Sequence, residues 1–393
     1  MLHIESEQEL ALMLSSIKKV QIYGARYNLF SILLLFKKLG YSKNIVESIW
    51  VTSKKGNPDY IDDIEVKEYV QNKANANTYV LLALAAGNAK KIAEKLENDG
   101  MHVIKISSTL MNNMIKPKDM CDDVYKSVEP FVLDFENINT KFNVPINCNT
   151  IYAWTCWWQG LSKAPDIVKA CITSQKKNLP KKVQYIIITE ENYSNYIEIP
   201  SYIIEKVKKG YITLTTFSDI IRACLLYKYG GIWLDATLLV HRPLPMEYFY
   251  LNLFTAKRKE AHSYSSVSLW FLGGKSANQL YRFLMEAFFY YFRNYNQIRY
   301  YLMIDFLIKI AFDTVPKLYK EYETIPYNNE NSGSLAMHLD ETYQIEKYRE
   351  IVEGTVVQKL TWKIERYNSD TLFSEDSFYS VLLKEYKEVA LLQ

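Results

Sequence analysis

The chain opens with short apolar runs that alternate with longer amphipathic stretches. Residues 20–24 form an apolar run closed by Gly24, the length of a buried strand, and residues 27–39 then carry a helical period. Further strands are predicted over 45–52, 78–84 and 102–106, with a helix over 88–98. Strands alternating with helices imply a parallel sheet with right-handed crossovers, so residues 1–107 read as a Rossmann-like α/β domain. The first turn, Gly24-Ala25-Arg26-Tyr27-Asn28, sits where a dinucleotide fold keeps its glycine fingerprint. Arg26 and Asn28 replace the further glycines that let a backbone approach a pyrophosphate, so neither NAD nor FAD is expected. The helix start can receive an anion, but a structural or partner-docking role fits this domain better.

Residues 108–146 show little periodicity and carry Pro117, Pro130 and Pro145, which reads as a linker leading into a second domain over 147–393. That domain opens on an aromatic strand at 151–158 ending at Gln159-Gly160. A helix over 164–174 with Pro165 in its first turn and a strand at 183–189 follow. A strong helix is predicted over 215–229, stopped by Gly230-Gly231, with a strand beginning at 232–234. Another strand at 267–272, closed by Gly273-Gly274, precedes two aromatic-rich helices over 277–312. The second domain is thus an α/β core with a helical tail.

Composition narrows the class. Thirty-two Tyr, 17 Phe and 7 Trp supply flat faces suited to sugars and bases as well as to a core. A net charge of +3 argues against a dedicated nucleic-acid binder. Lysine clusters at 176–177, 181–182 and 206–209 read as solvated helix ends, or as a weak face for anionic lipid. Cys121, Cys148, Cys156, Cys171 and Cys224 have no metal-type spacing and fit reduced thiols. Residues 1–10 hold three glutamates and no apolar core, so no signal peptide is read there. The expectation is a cytoplasmic protein, with any membrane contact peripheral and at the inner face.

The chemistry concentrates between 217 and 237. Asp219 and Arg222 are three apart and share a helix face. The helix then turns through two glycines into a strand ending on Asp235, which brings three charged groups to one sheet edge. Open α/β sheets bind ligands there. Arginine suits a diphosphate, and carboxylates suit ribose or sugar hydroxyls. Other chemistries fail on spacing. Gly273-Gly274-Lys275-Ser276 lacks the earlier P-loop glycine, because Leu269 holds that position. There is no Gly-x-Ser-x-Gly elbow and no zinc pattern among His3, His102, His241, His262 and His338.

These residues resemble the family 32 glycosyltransferases, in particular their capsular polysaccharide synthesis protein branch. The likeness rests on Trp157-Trp158-Gln159-Gly160, the Ser218-Asp219-x-x-Arg222 helix and the run Tyr-Gly-Gly-Ile-Trp-Leu-Asp-Ala-Thr ending at Thr237. It continues weakly through 301–305, with Asp305, and 359–363, with Lys359; the first 107 residues lie outside it. The resemblance implies a GT-A fold and sugar transfer with retention from a nucleotide-diphosphate sugar, a UDP-sugar first. The acceptor it implies is a glycan or a lipid-linked oligosaccharide. By resemblance, Trp157 or Trp158 stacks on the donor base, with Gln159, Gly160 and Gly231 beside the donor. Asp219 holds hydroxyls, Arg222 contacts the donor, and Asp235 is the first carboxylate of an Asp-x-Asp motif. Asp235, Arg222 and Asp305 are the expected catalytic residues.

Thr237 stands where the second, metal-ligating carboxylate belongs, and Gln358 where a histidine ligand would suit. A manganese or magnesium ion on Asp235 and Thr237 is one way to neutralise the diphosphate; Arg222 with Lys359 or Lys363 is the other. The rival reading is a degenerate member that binds a nucleotide sugar or organises other enzymes.

Overall fold

The computed structural model describes residues 1–71, 77–138, 140, 144–145, 150–260, 263–363 and 373–387. Cys148 and His262 lie outside them. The chain divides into two compact units. The first comprises Met1–Asp134, Pro200–Phe217 and Ala287–Leu307; the second comprises Phe135–Ile199, Ser218–Glu286 and Ile308–Gln393.

The first unit runs β1 (Leu2–Ile4), α1 (Glu7–Ser16), β2 (Val20–Tyr23), α2 (Tyr27–Lys38), β3 (Val46–Val51), β4 (Tyr60–Ile61), β5 (Ile64–Glu68), β6 (Tyr79–Leu82), α3 (Ala86–Asn98), β7 (His102–Ile106), α4 (Ser108–Met114) and α5 (Pro117–Asp134). Its sheet has the order β1-β7-β6-β2-β3-β5-β4, parallel throughout except for the β4–β5 hairpin. All four residues of β2 are buried, as in a parallel strand covered on both faces. The first turn is closed to a ligand by its own packing. A Cβ on Gly24 would lie 2.7 Å from the Ala83 carbonyl, and the Arg26 guanidinium donates to the carbonyls of Gly56 (2.7 Å) and Gly210 (3.2 Å).

The expected linker is largely helical. Pro117 opens α5, where a missing N–H costs no hydrogen bond, and Pro130 is accommodated inside the same helix. Val124, Val128 and Phe131 give α5 an apolar stripe at helical spacing that fixes it as part of the first unit.

The second unit begins with β8 (Ile151–Cys156), α6 (Asp166–Asn178) and β9 (Val183–Ile188). After α7 (Ser201–Lys208), which belongs to the first unit, come α8 (Leu214–Tyr229), β10 (Gly231–Leu234), β11 (Leu238–Val240), β12 (Leu253–Thr255) and β13 (Phe271–Gly274). α9 (Gln279–Asn294) and α10 (Met303–Thr314) follow, each divided between the two units because residues 287–307 belong to the first. Then come α11 (Pro316–Glu323), α12 (Ile345–Ile351) and α13 (Phe378–Glu385), with β14 (Val357–Lys359) before the last. The sheet order is β12-β13-β10-β8-β9: β9, β8 and β10 run parallel, and β13 and β12 antiparallel. β11 and β14 form a separate antiparallel ribbon.

The strand expected at 267–272 is β13 at Phe271–Gly274 instead, with Gly273 and Gly274 inside it. A Cβ on Gly273 would lie 2.3 Å from the Gly231 carbonyl, so backbone packing against β10 demands glycine within the strand. Among the described residues no helix is long and apolar enough to cross a membrane.

Candidate functional site

The site is built where α8 turns into β10. Gly230 and Gly231 both take left-handed backbone angles, φ 69° and 90°. A Cβ on Gly231 would lie 2.2 Å from the Tyr152 carbonyl, so the turn presses its backbone onto β8. Trp154 fixes the turn from below through its indole N–H to the Gly230 carbonyl at 2.9 Å. Strand alternation then sends Ile232 and Leu234 into the apolar core and Trp233 to the opposite face. Asp235 follows at the C-terminal end of β10, beside the end of the parallel strand β8.

Asp235 gathers three donors. Its Oδ1 accepts from Arg222 Nη2 at 3.1 Å and from Trp233 Nε1 at 2.8 Å, and its Oδ2 accepts from Lys359 Nζ at 2.7 Å. The same ammonium donates to Thr237 Oγ1 at 2.6 Å. Arg222 also lies 3.4 Å from Asp219 Oδ1 and stacks over the Trp233 ring at 4.8 Å. The group therefore alternates in charge: Asp219, Arg222, Asp235, Lys359.

The two carboxyls respond in opposite ways. Burial raises Asp219 to about 6; Arg222 only partly offsets it, and Asp235 adds repulsion. At Asp235 burial also works against the charge, but Lys359 and Arg222, with hydrogen bonds from Lys359 and Trp233, hold its carboxyl down at about 2. Asp235 is thus a fixed anion, whereas Asp219 is a carboxylate that would gain from further donors. Burial raises the nearby Cys156 thiol to about 12, which leaves it no thiolate to act as a nucleophile.

Of the expected residues, Asp219, Arg222, Asp235, Thr237 and Lys359 come together. Trp157 borders the same apolar cluster as Ala236 and meets Trp362 edge-on at 6.0 Å. Its Nε1 and the Nε of Arg222 are buried donors without an acceptor among the described residues. Trp158 packs against Tyr193, Gln159 is exposed, and Gly160 is a left-handed turn residue. Gly231 lies at the start of β10, about 13 Å of strand from Asp235, and its position is explained by backbone packing. Asp305 is a buried first-turn residue of α10, in the part of that helix that belongs to the first unit, whereas the group around Arg222 is drawn from the second. Gln358 points to the other face of β14 from Lys359. Its amide binds Leu335 N, Asn331 O and Ile351 O, so it is a structural pin. Lys363 is exposed and sits over the Trp362 ring.

One contributor was not foreseen. Gln175 of α6, fully buried, donates to the carbonyls of Asp235 (2.9 Å) and Leu238 (2.7 Å) and accepts from Tyr185. It holds the turn that carries Asp235 and Thr237. A glutamine flanked by Ile172 and Cys171 on a buried helix face was the available signal.

A family model described as "Capsular polysaccharide synthesis protein" matches residues 118–382, well over half of the chain. The chain belongs to that family. The matched stretch contains every member of the group around Asp235, from α8 to β14. No curated protein matches the chain. Among solved structures, one titled "PaToxG Glycosyltransferase" aligns over 60% of this chain and 93% of its own at 15% identity. Its TM-score of 0.30 is too low for that likeness to bear on the fold or the activity.

Proposed function

We propose that the chain is a nucleotide-sugar-dependent glycosyltransferase of capsular or surface polysaccharide assembly, with Arg222, Asp235 and Lys359 as its donor site. The observation that carries this reading is the alternating ionic group at the C-terminal ends of two parallel strands, inside the family segment. Sheet ends of this kind receive phosphorylated ligands. Arg222 and Lys359 are the groups to meet a diphosphate. Asp219, raised by burial, has the most to gain from a hydroxyl donated by ribose or sugar. Trp157, with a buried N–H that finds no acceptor among the described residues and a partly buried ring, is the side chain to face the base.

In the reaction, the bond from the anomeric carbon to the diphosphate oxygen breaks and its electron pair goes to that oxygen. The acceptor hydroxyl bonds to the same carbon, and its proton passes to the departing diphosphate. Charge grows on the leaving group, where preorganised cations lower the barrier. A GT-A arrangement, a UDP-sugar donor, retention of configuration and a glycan or lipid-linked acceptor complete the proposal, on the family 32 resemblance.

Thr237 supports a second reading, a degenerate member that binds a nucleotide sugar without turning it over. Both readings require binding. Thermal unfolding with a panel of nucleotide sugars should show one that raises the midpoint, since ligand at a hundred times its Kd stabilises by about 2.7 kcal/mol. No shift with any nucleotide sugar would remove both. A shift without release of nucleoside diphosphate would favour the second.

A further inference from the structure

We propose that Lys359 is the resident cation of this donor site, holding the place a divalent metal would take between Asp235, position 237 and the diphosphate. The inference rests on the donor-site reading above and goes beyond it by assigning what neutralises the leaving group.

The geometry is that of a bridge. The ammonium lies 2.7 Å from Asp235 Oδ2 and 2.6 Å from Thr237 Oγ1, so one positive charge joins the two motif positions. An ammonium has three donors, and these two contacts leave one direction for a phosphate oxygen. The root of the side chain is fixed as well. Lys359 pairs with Leu238 in the β11–β14 ribbon, its N–H donates to the Ser332 carbonyl at 2.6 Å, and the next residue, Leu360, donates to the Thr237 carbonyl at 2.9 Å. Thr237 thus lies one place along the ribbon from the Lys359 partner Leu238, which holds the two backbones close together.

The donor set fits an ammonium better than a metal. Magnesium requires oxygen ligands in a near-ideal octahedron, and manganese shares its preference for carboxylate and water oxygens. Here the only carboxylate at the motif is Asp235, with Oδ1 engaged by Arg222 and Trp233 and Oδ2 by Lys359. Among the described residues no group of three or more His, Cys, Asp or Glu side chains could hold a metal. A divalent ion at Asp235 would have to displace Lys359 or sit beside its like charge. Thr237 fits the same logic, since it offers the ammonium an acceptor without adding a second negative charge that would call for a divalent ion.

The test is calorimetric titration of UDP, and then GDP, into the full-length chain, once in excess chelator and once with manganese. Wild-type affinity should agree within about threefold between the two conditions. Lys359→Ala should lose at least about tenfold in chelator, and Lys359→Arg should retain most of the affinity, which separates lost charge from lost fold. The double variant Lys359→Ala, Thr237→Asp should acquire manganese binding, read directly by the electron paramagnetic resonance signal of the free ion, where wild type shows none. Nucleoside diphosphate binding by wild type only with manganese would overturn the inference and leave the donor reading standing. Binding under neither condition would overturn the donor reading, and the inference with it.

Discussion

Replacing Asp219 with asparagine removes a charge that the fold holds at a cost. The carboxyl is raised by burial from its ordinary 3.8 to about 6. At about 1.4 kcal/mol per unit, the shift of about two units makes the ionised side chain about 3 kcal/mol less favourable in the folded protein than in the unfolded chain. The sign follows from proton counting. Between pH 4 and 6 the native state holds a proton that the unfolded state has lost, so this contribution is intact below about 4 and disappears as pH rises through 6. In Asp219→Asn that fall is abolished. His241, lowered to about 4 chiefly by burial, contributes a rise over the same window, but it does so in both proteins and cancels in their difference. Urea unfolding followed by tryptophan fluorescence suits the measurement, because Trp50 alone of the seven tryptophans lies outside the second unit. Stability of the variant relative to wild type should grow by about 3 kcal/mol from about pH 4 to about pH 7.5. A difference that stays flat across that range would refute the account of Asp219 as a carboxylate raised by burial.

Three further outcomes follow from particular contacts. Gly231→Ala places a Cβ 2.2 Å from the Tyr152 carbonyl at φ 90° and should cost more than about 2 kcal/mol, seen as a large fall in Tm. Gly160→Ala, also left-handed but with nothing within 4 Å, should cost only about 1–2 kcal/mol. Gln175→Leu strands the carbonyls of Asp235 and Leu238 and should lower stability by about 2–4 kcal/mol in urea unfolding while weakening nucleoside diphosphate binding.

Much of the site was legible because its parts are close in sequence. Asp219 and Arg222 share a helix turn, and the two glycines bring Asp235 back beside them, so period and turn chemistry sufficed. The choice between Lys359 and Lys363 was not legible, because it depends on pairing β14 with β11 from a distant part of the chain. Gln175 escaped for a related reason: its partners lie on a turn two strands later, and a helical glutamine ordinarily faces water. In the first unit the strong periods of β2, α2, β3 and β7 were readable. The prolines at 117 and 130 masked α5, although one sits at a helix start where it is harmless. α1 was missed despite its capping box, in which Ser6 and Glu9 satisfy each other's backbone N–H groups. Asp305 keeps two readings: a buried acid in an apolar helix suggests function, and its place in the first turn of α10 offers a structural reason as well.

The most direct test of the donor site is release of nucleoside diphosphate from a nucleotide-sugar panel, followed by phosphorus NMR for wild type, Asp235→Ala and Arg222→Ala. Each variant is first checked for native circular dichroism. Wild type should consume one donor, and each variant should slow that consumption by at least about a hundredfold, the scale of losing one charge-stabilising group in a transition state. Consumption by either folded variant within tenfold of wild type would contradict the assignment of this ionic group as the donor site.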